Sequence, residues 1–169
     1  MTDDQTKHLP TMNKHLLIGI TPFEIPDARL VFSLAKAACF PVLSLGHDRK
    51  KAEQALKSLS EQSAKDYGVC FNTADWQDII LPPEVSLIIA PFGFQFKHEP
   101  SVKVIYQVLD LESAKAASAA GAAGIIVKGN EGAGKVAYES SFVLFQRVIK
   151  EVSDLPIWVQ GGVGLHTAA

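Results

Sequence analysis

Apolar residues in this chain fall into short unbroken runs, separated by longer stretches in which they recur every third or fourth position. The runs cover residues 15–20, 41–45, 67–72, 85–90, 102–109, 125–127 and 156–160. Such continuous apolar runs suit strands buried on both faces, as in a parallel sheet. The stretches between them read largely as helices. Leu30, Val31, Leu34, Ala35 and Ala38 form one stripe, with Pro26 and Asp27 at its start. Proline needs no N–H in a first turn, and an acid there faces the positive end of the helix dipole. Ala52, Ala55, Leu56 and Leu59 form a second stripe behind Asp48, a residue suited to capping. Lys50, Lys51, Glu53 and Lys57 make its solvated side. Residues 76–80 form a short amphipathic segment closed by Pro82 and Pro83. An Ala-rich helix over 112–120 stops at Gly121. A last helix spans 140–152, with Phe142, Phe145, Ile149 and Val152 turned inward.

Strand–helix alternation predicts a parallel α/β fold. Two architectures meet it: an open doubly wound sheet, or a (β/α)8 TIM-type barrel that is incomplete, with about seven strands present. The 169 residues are fewer than the roughly 200–250 a full barrel uses. Residues 1–14 are polar and read as a flexible lead-in, leaving 15–169 as one domain.

Composition narrows the function. With 47% hydrophobic and 20% charged residues the chain is globular in character. A net charge of −2 offers no electrostatic case for nucleic acid or an anionic membrane. No apolar run approaches the roughly 18 residues of a membrane span. Cys39, late in the first helix, and Cys70, in a strand, read as buried reduced thiols of a cytoplasmic protein. Their spacing fits no metal site. His47 and His98 have no sequence partner for a triad or a metal. No P-loop is present, and the loop over 130–134 lacks the acidic ribose partner of a dinucleotide fold.

The candidate chemistry centres on residues 122–135, AAGIIVKGNEGAGK, where a strand breaks into a loop carrying Gly129, Gly132 and Gly134. Backbone amides in such a strand–loop–helix arrangement can hold a phosphate or a flat ring, although plain turn chemistry produces the same pattern. In a barrel, ligands sit at the carboxyl ends of the strands. Asn72, Lys128 and the pair Gly161–Gly162 fall at such ends. Asn72 could equally cap the turn into 73–75, Lys128 could lie on the surface, and the diglycine could be a tight turn. Phe92, Phe94 and Phe96 could wall an apolar pocket or pack on their own domain.

Residues 119–141, with the strand end Val159-Gln160-Gly161-Gly162-Val163, resemble the nitronate monooxygenase (2-nitropropane dioxygenase-like) family. Those are FMN-dependent (β/α)8 barrels and include the enoyl reductases of polyunsaturated fatty acid synthases. The run Gly19-Ile20-Thr21-Pro22-Phe23 resembles a subgroup at the start of polyketide synthase-type chains. The resemblance implies an incomplete barrel, FMN as cofactor, an acyl-thioester substrate and further domains of a synthase as partners. It assigns Asn72, Lys128, Gly129, Gly134, Gly161 and Gly162 to flavin binding. Lys135 takes the place of the family's catalytic histidine. An imidazole can remove a proton near neutrality, whereas a lysine, with a free pKa of about 10.4, needs strong desolvation to do so. Nitronate oxidation is therefore disfavoured; a cation that steadies a thioester, or no catalysis, is compatible. The alternatives are a non-catalytic scaffold or docking barrel, and another phosphate-binding barrel. Open apolar edge strands would also make the chain self-associate.

Overall fold

The computed structural model describes residues 17–164. The expected lead-in, residues 1–14, lies outside them. The strands are β1 (Ile18–Ile20), β2 (Phe40–Ser44), β3 (Tyr67–Cys70), β4 (Val85–Pro91), β5 (Lys103–Val108), β6 (Gly124–Lys128) and β7 (Ile157–Gln160). The helices are α1 (Ala28–Lys36), α2 (Arg49–Glu61), α3 (Leu111–Ala119) and α4 (Ser141–Glu151). All seven strands are parallel, and their order in the sheet is their order in the chain. Right-handed crossovers between such strands put every connection on one side. A doubly wound sheet needs a reversal of strand order and is thereby excluded. The sheet curls around its other face into a parallel (β/α) barrel, with β1 and β7 unpaired to each other among the described residues.

The pleat divides the apolar runs between two cores. Leu43, Val69, Ile88 and Ala90 face outward with residues of α1 and α2. Ile125 and Val127 meet Ala114 and Ala117 of α3 and Leu144 and Val148 of α4. The alternate positions, Phe40, Val42, Cys70, Leu87, Ile89, Ile105 and Ile126, fill the interior with Ile18, Ile20 and Trp158 beside them. Burial on both sides explains why the runs show no polar alternation.

Helices do not alternate with strands throughout. Between β3 and β4 lies only a 3₁₀ turn, Ala74–Trp76, and the β4–β5 connection has no helix. Aromatic side chains cover the sheet there instead. Trp76 is buried and donates its indole N–H to the Gly46 carbonyl at 3.1 Å. Phe96 packs edge-on against Phe71, and Phe92 against Tyr106.

Three expectations about side chains change. The helix α1 ends at Lys36, and Ala38 turns the chain with φ 57°. Leu30, Ala35 and Ala38 are therefore exposed, and Ala28 and Val31 carry the inward face. Cys39 lies outside the helix and is only partly buried, while Cys70 is fully buried. In α4 the inward stripe is Leu144 and Val148, with Val152 just beyond the helix, whereas Phe142 is 70% and Ile149 38% exposed. Both stripes have helical spacing; what selects between them is the fixed position of Ser141. That residue is buried, its N–H held by the Glu131 carboxylate and its hydroxyl by the Gly161 carbonyl. Positions three and seven residues on inherit its face.

Two outcomes follow from this architecture. In urea unfolding, Leu144→Ala should cost about 2–5 kcal/mol, while Phe142→Ala should stay within about 0.5 kcal/mol; the reverse order would contradict this phase of α4. The free sides of β1 and β7 are apolar and only partly covered. Light scattering should therefore show association that grows with concentration; a monomer at every concentration would refute it.

Candidate functional site

Inside the barrel the strands change character near their carboxyl ends. The inward positions there are Ser44 on β2, Gln107 on β5, Lys128 on β6 and Gln160 on β7, with Thr21 and Asn72 just past β1 and β3. These residues line a cavity of about 290 Å³, with Cys70, Gly134 and Lys135.

The polar groups of the cavity pair with each other in two sets. On one side Thr21 Oγ1 accepts the Ser44 N–H at 2.9 Å. Ser44 Oγ lies 2.7 Å from Asn72 Oδ1 and 3.2 Å from the Phe23 carbonyl. One hydroxyl proton serves only one of these acceptors. Turning the Asn72 amide over lets its nitrogen donate to Ser44 and frees the Ser44 proton for Phe23. Asn72 then presents its oxygen to Cys70 Sγ, 3.7 Å from the present amide nitrogen. Burial pushes the Cys70 thiol up to about 12, so it is a neutral S–H able to donate. On the other side Gln107 Nε2 donates to Gln160 Oε1 at 2.8 Å, joining β5 to β7 across β6.

Lys128 stands on β6, between the two glutamine strands. Its residue is 9% exposed. Its stem lies along the glycine loop: Cγ and Cε are 3.3 Å from where a Cβ on Gly132 would stand, and Nζ is 3.7 Å from the same point on Gly134. No hydrogen bond or ion pair holds this amine among the described residues. Burial lowers its pKa, with the Cys70 sulfur opposing.

The glycine loop is tied down at its far end. A Cβ on Gly129 would sit 2.1 Å from the Ser141 nitrogen, so only glycine permits this approach of loop to helix. Gly161 has φ 105°, and a Cβ there would meet the Gly132 nitrogen at 2.8 Å. Of the three loop glycines only Gly134 has positive φ. The amino end of α4 already holds an anion: Glu131 Oε2 accepts the Ser141 N–H at 2.9 Å, and Ser140 Oγ caps Val143. That backbone N–H holds the Glu131 carboxyl below its ordinary value.

Asn72, Lys128, Gly134 and Lys135 thus come together around one cavity, Lys135 as an exposed residue at the rim. Gly129, Gly161 and Gly162 lie off its lining, at the junction of the glycine loop, β7 and α4. Phe92 and Phe96 pack on the outer clusters, and the cavity takes only Pro91 from that loop end. His47 faces Glu24 at 3.9 Å and Phe23, outside the cavity. The described residues contain no group of side chains suited to a metal. Ser44, Gln107 and Gln160 escaped the sequence reading. Their signal was there: each is a polar residue at or just past the end of an apolar strand, at an even offset from an inward position.

No family model matches the chain, and no curated protein matches its sequence. Solved structures do match. FabK from Thermotoga maritima has a TM-score of 0.72 at 21% identity, over 89% of this chain and 51% of its own. A nitroalkane oxidase from Streptomyces ansochromogenes has a TM-score of 0.67 at 16% identity, over 90% of this chain and 60% of its own. What they share is a fold, the parallel (β/α) barrel. The chain spans between half and two thirds of the length of these neighbours.

Glu131 is depressed in the folded chain, so its contribution to stability is present above the unfolded value and is lost as pH falls through the folded one. Glu131→Gln should lower the thermal midpoint at neutral pH and flatten its fall on the acid side. Midpoints that run parallel for both proteins at every pH would sink this role.

Proposed function

We propose that the chain is an FMN-binding barrel domain of oxidoreductase type, akin to nitronate monooxygenases and enoyl reductases. The observation that carries this reading is the polar cavity at the strand carboxyl ends, in a fold shared with FabK and a nitroalkane oxidase. Ligands of such barrels bind at this end. When bound, FMN would supply hydride transfer. The ring end of a flavin suits the residues present: Gln107, Gln160 and Asn72 offer amide donors and acceptors, and a reduced, anionic ring would supply the counter-ion that Lys128 otherwise lacks, favouring its protonated form. For the phosphate, the α4 amino end is already taken by Glu131, and the family resemblance assigns the turn at Gly161 and Gly162, both in positive φ.

Lys135 at the rim offers charge to an anionic or acyl-thioester substrate, and the chain would serve as one domain of a polyketide or fatty acid synthase in the cytoplasm. No helix among the described residues is long and apolar enough to cross a membrane.

A second reading, a scaffold barrel without catalysis, is favoured by one specific feature. The carboxylate of Glu131 fills the helix terminus that a phosphate would otherwise use.

Titration with FMN, followed by flavin fluorescence, separates the two. Saturable binding should weaken at least about tenfold, roughly 1.4 kcal/mol, in Lys128→Met and in Gly161→Ala. A cooperatively folded chain that never saturates with FMN would favour the scaffold.

A further inference from the structure

We propose that Lys128 is a carbonyl-condensing lysine, whose amine forms an imine with a small aldehyde or ketone admitted to the cavity at the carboxyl end of the barrel. The inference rests on the cavity and the lysine and needs no flavin.

A lysine cation is ordinarily either solvated or paired with an anion. Lys128 is neither. Its residue is 9% exposed, and the groups around the cavity are neutral: Ser44, Asn72, Gln107, Gln160 and the protonated Cys70 thiol. The charged group that shares the lining is Lys135, of like sign. The acids on the adjoining loop are committed elsewhere, Glu131 to the Ser141 N–H and Glu139 to Arg147. A site without a counter-ion favours the neutral amine, the form that is nucleophilic. The lowered pKa of Lys128 agrees with that arrangement.

Space and orientation complete the case. Gly132 and Gly134 flank the stem and amine without side chains of their own, so the amine faces open cavity. The Gln107–Gln160 pair and the Ser44–Asn72 pair supply fixed donors and acceptors on either side for the substituents of a carbonyl compound. In the reaction the Nζ lone pair attacks the carbonyl carbon, and the carbonyl π pair moves to oxygen. Oxygen takes up two protons, matching the two the nitrogen gives up, and leaves as water. The C=N bond replaces the C=O bond, and no oxidant or reductant is consumed.

The test uses the whole chain, acetaldehyde as probe and limiting cyanoborohydride at neutral pH, with each lysine quantified by peptide mapping. Acetaldehyde is small enough to enter, and cyanoborohydride fixes the imine as a stable secondary amine. Lys128 should be modified several-fold ahead of exposed lysines such as Lys57 and Lys135. Lys128→Arg should lose that adduct and leave the slower ones unchanged. Modification of Lys128 no faster than that of the exposed lysines, in a chain whose circular dichroism shows it folded, would overturn the proposal. Repeating the labelling with FMN keeps the readings apart: a chain that labels at Lys128 but neither binds FMN nor is protected by it sustains this inference while the flavin reading fails.

Discussion

A parallel sheet whose strands follow one another in chain order has all its crossovers on one face. The rest of this structure depends on that constraint. The other face receives no helix, so it must bury itself by curling, and its side chains then converge on a common axis. Phe40, Val42, Leu87, Ile89, Ile105 and Ile126 fill the lower part of that interior. Near the carboxyl ends the inward side chains become polar, and a cavity opens where the apolar layers stop. The site is thus a consequence of how the core ends. Its members lie far apart in sequence, Thr21 to Gln160, and meet because strand register brings every second residue to the same face.

The loop after β6 is anchored by a second, local device. Glu131 reaches the amino end of α4, Ser141 reaches back to the Gly161 carbonyl, and Gly129 allows the backbones to touch. One junction therefore fixes the phase of α4, the path of the glycine loop over Lys128 and the turn after β7. A carboxylate at a helix amino end is electrostatically favourable, and here it also occupies the place where an external anion could bind. Any phosphate held nearby would have to rely on the turn after β7, which makes the two functional readings physically distinguishable.

Lys128 shows the usual tension between stability and chemistry. An amine on a buried stem, without an anion beside it, costs the fold something that a methionine would not. The residues that surround it could have supplied a carboxylate and instead supply amides and hydroxyls. That choice makes little sense for stability and good sense for a cavity that handles a polarised ring or a carbonyl group.

The sequence by itself determined the elements. Continuous apolar runs identified all seven strands, six of them to within a residue or two at each end and β1 starting three residues later than its run, Asp27 and Asp48 announced two helix starts, and Gly121 announced an end. Strand-end position also pointed to Asn72 and Lys128, because the carboxyl end of a strand is readable without knowing what lies beside it. Tertiary structure decided the rest. Sequential strand order, a long-range property, chose the barrel over the doubly wound sheet. Ser141 chose Leu144 and Val148 over Phe142 and Ile149, since two stripes of equal spacing differ only in what the first turn is tied to. Trp76 and Phe96 replaced helices that alternation suggested, because burying a flat aromatic covers a sheet as well as a helix does. The Gln107–Gln160 bond and the lack of a partner for Lys128 depend on which side chains face each other across strands. That is set by register and curl, which no local pattern encodes.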